Sequence, residues 1–405
     1  MENKLIIVQG SKSQINRILL ISTFLDSPLL IKNFSSCEDV NTMTKNSQLL
    51  GMRFERLDNN WMRVFPAKLQ SSQLYIKDAG TAFRFLIARL AVAEGRDFSI
   101  DCSEQLKARP HHQLVDSLQN MGAEIGKRYP LKISGKKLAG GEIEISGNTS
   151  SQYTSSLLLC SPKFENGLRL KLSSSSVSKP YIWMTIEMMR KFGVEVNWEG
   201  DEIIVLPGQK YQNPTEIIIE PDYSTLSYFW VYAMLSGKEV ITSGDPRKSN
   251  QADSSFWEVL KKFGAEVEFG NNLVKINCSK ISGGEIDMNM MPDQVPTLAL
   301  LALFADAPIY ISGVGHLKYK ESDRIKVLIQ EFSKLTQIKY KTGILQINPI
   351  TQRPKANINL LCYDDHRFVM TFSILQKRIR NIYLDNIDAV KKSAPEFFDE
   401  MIKLD

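Results

Sequence analysis

The 405 residues exceed the roughly 250–300 at which one hydrophobic core stops growing, so at least two cores are expected. Hydrophobic residues make up 43% and charged residues 23%, which excludes a disordered chain and a small disulfide-stapled scaffold. Fifty Lys and Arg against 45 Asp and Glu leave a formal charge of +5, too small for a general nucleic-acid or membrane-surface binder, so any anion site must be local. Cys37, Cys102, Cys160, Cys278 and Cys362 lie far apart with no CxxC pair, as reduced thiols of a cytoplasmic protein do, and neither they nor the four histidines suggest a metal centre. The N-terminal apolar run covers only Leu5 to Val8, too short for a signal peptide, and Val295 to Ala305 falls short of the ~20 residues that span a bilayer.

In chain order, the first element is a strand from Leu5 to Val8. It leads into GSKSQINR (10–17), where a Gly-Ser turn opens a helix; free N–H groups there, with Lys12, Ser13 and Arg17, suit a phosphate or carboxylate. Ser11 stands where a P-loop needs Gly, which excludes a nucleoside-triphosphate loop. DAGTAFRF (78–85) repeats the design: Gly80 permits close approach to the backbone and Thr81 offers a hydroxyl, whereas the plain alternative is Asp78 as an N-cap with Arg84 on a solvated face. Arg109 precedes a helix with Pro110 at its first turn. Ser150, Ser151 and Gln152 stand before an apolar run, and Ser178 to Tyr181 before the following helix. Asp293 follows Pro292, and KYKESDR (318–324) reads as a helix start with Lys320 and Arg324 four apart on one face and Glu321 beside them. DDHR (364–367) precedes an apolar helix and KKSAP (391–395) the last one.

These elements repeat. Gly51, Gly122, Gly193, Gly264 and Thr336 follow amphipathic helical stretches at successive separations of 71, 71, 71 and 72 residues. Short β-rich runs begin near Leu29, Phe98, Leu168, Val240, Ile309 and Ile382, also about 70 apart. Each unit reads helix, strand, helix, Gly stop and hairpin, as in 264–277, where two alternating runs flank Gly270-Asn271-Asn272. The sixth unit lacks its closing strands, so the two chain ends are expected to meet in one domain. Six units divide three and three. One domain should comprise 1–10 with 222–405 and the other 11–221, with the helix starts of both converging on a cleft that binds more than one anion.

The ordered series GSKSxxNR, AGTAxR, RP, SSQ, SKPY, QAD, PD, KESDR, DHR and KS-P resembles 5-enolpyruvylshikimate 3-phosphate synthases over essentially the full length. The resemblance implies an α/β fold of two similar domains, each of three βαβαββ units (the inside-out α/β barrel type), with the active site in the interdomain cleft. It implies transfer of the enolpyruvyl group of phosphoenolpyruvate to the 5-hydroxyl of shikimate 3-phosphate, with release of phosphate. Neither cofactor nor metal is expected, and no nucleic-acid or membrane partner; a monomer is expected. By motif, Lys12, Gly80, Arg109, Gln152, Arg324, Arg367 and Lys392 would face phosphoenolpyruvate. Lys12, Ser13, Arg17, Thr81, Ser150, Ser151, Gln152, Ser178, Tyr181, Asp293 and Lys320 would hold shikimate 3-phosphate, with His316 where some members have Asn. The route implied is addition–elimination through a tetrahedral ketal: Asp293 takes the hydroxyl proton, Glu321 protonates the methylene carbon and later removes that proton, and Lys12 neutralises the leaving phosphate. Glyphosate would compete with phosphoenolpyruvate beside Gly80. Gln9, Cys37-Glu38 and Ala394 depart from the common pattern. The related enolpyruvyl transferases acting on UDP-N-acetylglucosamine resemble the chain less well, since their reactive-loop Cys has no counterpart near Arg109. A catalytically silent anion-binding protein on the same scaffold is the alternative from another class.

Overall fold

The computed structural model describes residues 5–58, 60–145, 150–172 and 178–404. Its elements follow the repeat. The first unit runs β1 (Leu5–Ile6), α1 (Lys12–Ser22), β2 (Leu29–Lys32), α2 (Glu38–Leu49), β3 (Arg53–Arg56), β4 (Trp61–Phe65). The second has β5 (Gln73–Ile76), α3 (Gly80–Ala91), β6 (Asp97–Cys102), α4 (Glu104–Lys107), α5 (His112–Asn120), β7 (Glu124–Ile125), β8 (Leu131–Ser134). The third has β9 (Gly141–Ile145), α6 (Ser151–Cys160), β10 (Leu168–Leu172), α7 (Lys179–Lys191), β11 (Asn197–Glu199), β12 (Glu202–Val205). In the fourth come β13 (Glu216–Ile218), α8 (Tyr223–Ser236), β14 (Val240–Ser243), α9 (Phe256–Lys262), β15 (Ala265–Phe269), β16 (Leu273–Cys278), and in the fifth β17 (Gly284–Asp287), α10 (Val295–Ala302), β18 (Ile309–Ser312), α11 (Arg324–Phe332), β19 (Ile338–Lys341), β20 (Ile344–Ile347). The sixth is cut short: β21 (Ile358–Leu360), α12 (His366–Arg378), β22 (Ile382–Leu384), α13 (Phe397–Ile402).

Each complete unit folds its own four-stranded sheet. The first two strands lie parallel across a helical crossover, and the last two return as a hairpin, as in β5-β6-β8-β7, β9-β10-β12-β11 and β17-β18-β20-β19. Two sheets exchange their first strand. β1 pairs with β14 (Leu5 opposite Ile241), and β13 pairs with β2 (Glu216 opposite Leu30). Among the described residues no sheet closes into a barrel; the strands stay in separate small sheets around buried helices.

That exchange marks where the chain passes between two compact units, Met1–Gln9 with Glu220–Asp405, and Gly10–Ile219. The changeovers fall one and two residues before the boundaries expected at 10/11 and 221/222. Gly10 backs directly onto the Asn33 carbonyl and Ile219, where an added Cβ would collide at 1.9 Å, so it packs with the second group. Glu220 instead accepts hydrogen bonds from Ser249 and Gln251. Gln9 receives the Asp222 N–H on its carbonyl and donates to Glu396 (2.8 Å), while Ile7 donates to Glu400. The chain ends thereby share one unit.

Each unit has its own core. The first helix of a repeat is apolar on most faces and lies inside: α1, α3 and α6 pack together in one unit, and α8, α10 and α12 in the other. The second helix is amphipathic, and its stop is a Gly in the left-handed region at Gly51, Gly122, Gly193 and Gly264. Most candidate site residues lie at or near helix starts, where unsatisfied N–H groups collect; His316 and Lys392 lie instead in 3-10 turns.

Candidate active site

In the unit Gly10–Ile219, Arg17 is buried (2% exposed) one turn into α1. Its donors reach the Thr185 hydroxyl (2.8 Å), the Ser13 carbonyl (2.7 Å), the Tyr181 carbonyl (3.1 Å) and the Ser155 hydroxyl (3.4 Å). All four acceptors are neutral. Burial without a carboxylate pushes the guanidinium down to about 9, so an anion arriving here would relieve a real desolvation cost. Ser178 stands at the N-cap position of α7 with φ +58, a left-handed conformation uncommon outside Gly, which sets this turn beside the Arg17 acceptor Tyr181. Lys12, the first residue of α1, pairs with Asp39 at 2.9 Å.

A second cluster forms where α3, α6 and the loop before α5 meet. Gln152 donates to the Thr81 hydroxyl (3.1 Å) and accepts from Arg84, and Ser150 caps α6 by accepting the Gln152 N–H (3.3 Å). Ser151 is the buried first residue of that helix. Gly80 opens α3 beneath the guanidinium groups of Arg84 and Arg109. Arg84 is therefore not on a solvated face: it is 2% exposed, and it also donates to the Pro110 carbonyl (3.4 Å), which accepts from Tyr153 as well. Pro110 precedes the N-cap His111 rather than lying in the first turn. His111 meets the Leu106 carbonyl at 2.7 Å; burial, then Arg84, lower it to about 3, so it stays neutral.

In the other unit the charged residues form one ion-pair network. Arg324, first residue of α11 and 1% exposed, reaches Asp365 (2.8 and 3.2 Å), Asp293 (2.8 Å) and Glu321 (2.8 Å). Burial alone would lower this guanidinium, but three carboxylates raise it. Asp293, in a single turn before α10, also takes Lys320 (3.1 Å) and Arg367 (3.4 Å). Burial would raise this carboxyl; Lys320, Arg367 and Arg324 together hold it well below the usual range. Lys320 lies outside the helix, because α11 starts only at Arg324 with Asp323 as its cap. The expected i,i+4 face is replaced by convergence on Asp293, and the cluster is buried rather than a surface charge run. Buried Lys392 ends a 3-10 turn, and fully buried Ala394 joins the core. His316 is buried with Nε2 unbonded among the described residues; burial, then Lys320, bring it to about 4.

Three residues of these clusters were not among the candidates read from the sequence. Asp365 (0% exposed) caps α12 through the Arg367 N–H and grips Arg324 from the neighbouring unit of the repeat. Asp39 pairs with Lys12, and Arg84 joins Gln152 to the Arg109 loop. The only signals were an Asp one residue before His-Arg and the Arg of AGTAxR. Among the described residues no group of His, Cys, Asp and Glu could hold a metal ion, and no helix is long and apolar enough to cross a membrane.

Buried helix starts carrying cations, in two clusters of one unit and an ion-pair network of the other, are the chemistry of an anion-binding protein on a duplicated α/β scaffold. The EPSP synthase (3-phosphoshikimate 1-carboxyvinyltransferase) family model matches residues 3–401. The 3-phosphoshikimate 1-carboxyvinyltransferase of Marinomonas sp. is 33% identical over 97% of this chain and 94% of that protein, and that of Photobacterium profundum 33% over 98% and 95%. The fold is shared with the EPSP synthase structure from Acinetobacter baumannii (TM-score 0.81, 23% identity, covering 99% of this chain and 95% of that one). The enolpyruvyl transferase NikO from Streptomyces tendae shares it too (TM-score 0.81, 15% identity, 99% and 94%). The chain belongs to the EPSP synthase family. Its reaction is transfer of the enolpyruvyl group from phosphoenolpyruvate to shikimate 3-phosphate, in the shikimate pathway towards aromatic amino acids.

Proposed function

We propose that these clusters act on one pair of substrates, with Arg17, Ser13, Ser178 and Tyr181 around shikimate 3-phosphate and Arg109, Arg324, Arg367 and Lys392 around phosphoenolpyruvate. The carrying observation is the position of Asp293, ionised and shared by Lys320, Arg324 and Arg367. Held so firmly, it is a weak base. Substrate anions that engage Lys320 and Arg367 draw those cations away from it, and its proton affinity rises towards what accepting the 5-hydroxyl proton requires. The addition then forms a C–O bond to the enolpyruvyl carbon while Glu321, steered by Arg324, delivers a proton to the methylene carbon. In elimination a methyl proton returns to Glu321 as the C–O bond to phosphate breaks and the double bond is restored, and phosphate leaves towards Lys12 as the monoprotonated ion, with the proton that Asp293 took from the 5-hydroxyl.

Five buried, unpaired cysteines support a reducing compartment, and we place the enzyme in the cytoplasm as a monomer whose units each close their own core. Phosphate release measured with both substrates tests the reaction. Glu321→Gln should bind shikimate 3-phosphate as tightly as the parent by calorimetry yet lose about 10²- to 10⁴-fold of turnover. A rate near that of the parent would remove Glu321 from the proton path.

A further inference from the structure

Helices α1 and α3, whose starts carry Lys12, Arg17, Gly80 and Arg84, end beside a cavity of about 370 Å³ lined by Phe24, Leu25, Leu69 and Val92. That is a small-molecule volume. Four cations line the same cavity: Lys68, Arg89, Arg96 and Lys163. None of them makes an ion pair among the described residues, although the exposed carboxylates Asp26 and Glu94 also lie there. Arg89 is more than nine-tenths buried. Its Nε and Nη2 donate to the Thr23 hydroxyl (2.5 Å) and carbonyl (3.2 Å), which closes the C-terminal end of α1 and leaves Nη1 with no acceptor among the described residues. The Phe24 ring lies 4.1 Å below that guanidinium, and the Lys163 ammonium is 5.9 Å from the same ring.

We propose that this cavity is a second anion site, distinct from the substrate clusters, for a small organic phosphate or carboxylate with an apolar body. The cations exceed the carboxylates by two, and the guanidinium at the back is already desolvated, so an oxyanion there gains strong charge-assisted hydrogen bonds. The apolar wall favours an organic acid over an inorganic ion. This inference does not rest on the proposed division of catalytic roles.

The test is calorimetric titration of the whole enzyme with phenyl phosphate and with benzoate, under saturating shikimate 3-phosphate. Arg89 caps α1, and its replacement could unfold the chain, so the variant is Arg96→Glu with Lys163→Glu, both exposed and outside the substrate clusters. The parent should bind one of the two probes saturably, and the variant at least tenfold more weakly with unchanged turnover. No saturable binding of either probe to the parent, or equal affinity in parent and variant, would overturn the site. Inorganic phosphate binding as tightly as the better organic probe would overturn the assignment of an organic ligand.

Discussion

A methyl group placed on Gly80 would sit 3.0 Å from a guanidinium nitrogen of Arg109 and 3.0 Å from one of Arg84, closer than side chains normally approach. Both are ends of flexible chains, so they can yield by a few tenths of an ångström, but they then shift towards whatever anion they hold. Overpacking of this kind costs about 1–3 kcal/mol. Gly80→Ala should therefore raise the glyphosate inhibition constant roughly ten- to a hundredfold, with a smaller rise in the apparent KM for phosphoenolpyruvate. Inhibition measured against varied phosphoenolpyruvate at saturating shikimate 3-phosphate checks this; an equally sensitive variant would separate Gly80 from the inhibitor. Residue-scale burial also sets the pH response. Neutral His111 and His316, lowered from 6.5 to about 3 and about 4, bind protons in the unfolded chain before they do in the folded one. Each costs stability as pH falls below 6.5. Glu396 acts oppositely: burial raises it from 4.5 to about 7, so the folded chain holds its proton longer and stability falls as pH rises through that window. Between pH 4.5 and 6.5 the histidines outnumber the glutamate by one proton, and stability should rise with pH by up to ~1.4 kcal/mol per unit from these groups. His316→Asn should flatten the dependence of Tm on pH there, and Glu396→Gln should steepen it.

Helix starts carry most of the candidate site residues, and one carboxylate joins two of them. Asp365 caps α12 through the Arg367 N–H (3.0 Å), accepts from Ser322 (3.0 Å), and holds Arg324 at the start of α11. Asp365→Asn keeps a capping oxygen but removes a charge from a fully buried pair. A charge-assisted hydrogen bond contributes about 1.5–3 kcal/mol, so urea denaturation should show a loss of that order. Turnover should fall as well, because Arg324 also steers Glu321 and Asp293. A variant as stable as the parent would show that Asp293 and Glu321 alone suffice to hold Arg324. The helices themselves were legible from apolar periodicity and Gly stops. That α11 begins at Arg324 and not Lys320 was not, because the charged run 318–324 carries no apolar period to reveal its phase.

Across the whole molecule, the first nine residues precede one unit but complete the other. Deleting them removes β1 from β14 and takes the Ile7 and Gln9 N–H groups from Glu400 and Glu396. Hydrogen exchange should accelerate in Val240–Ser243 and its partner β16 while β6 and β10 keep their protection; uniform loss in both units would show that they unfold as one. The 71-residue period, the six units, the truncated last repeat and the anion-suited helix starts were all present in the amino-acid sequence, because periodicity, Gly stops and N-terminal donors are local properties of the chain. The exchange of β1 and β13 between sheets, the burial of Arg84, and the grip of Asp365 on Arg324 and of Asp39 on Lys12 were decided only by tertiary structure. A strand's pattern tells which face is apolar but not which neighbour it joins, and a charge finds its partner only when separate helix starts are packed side by side.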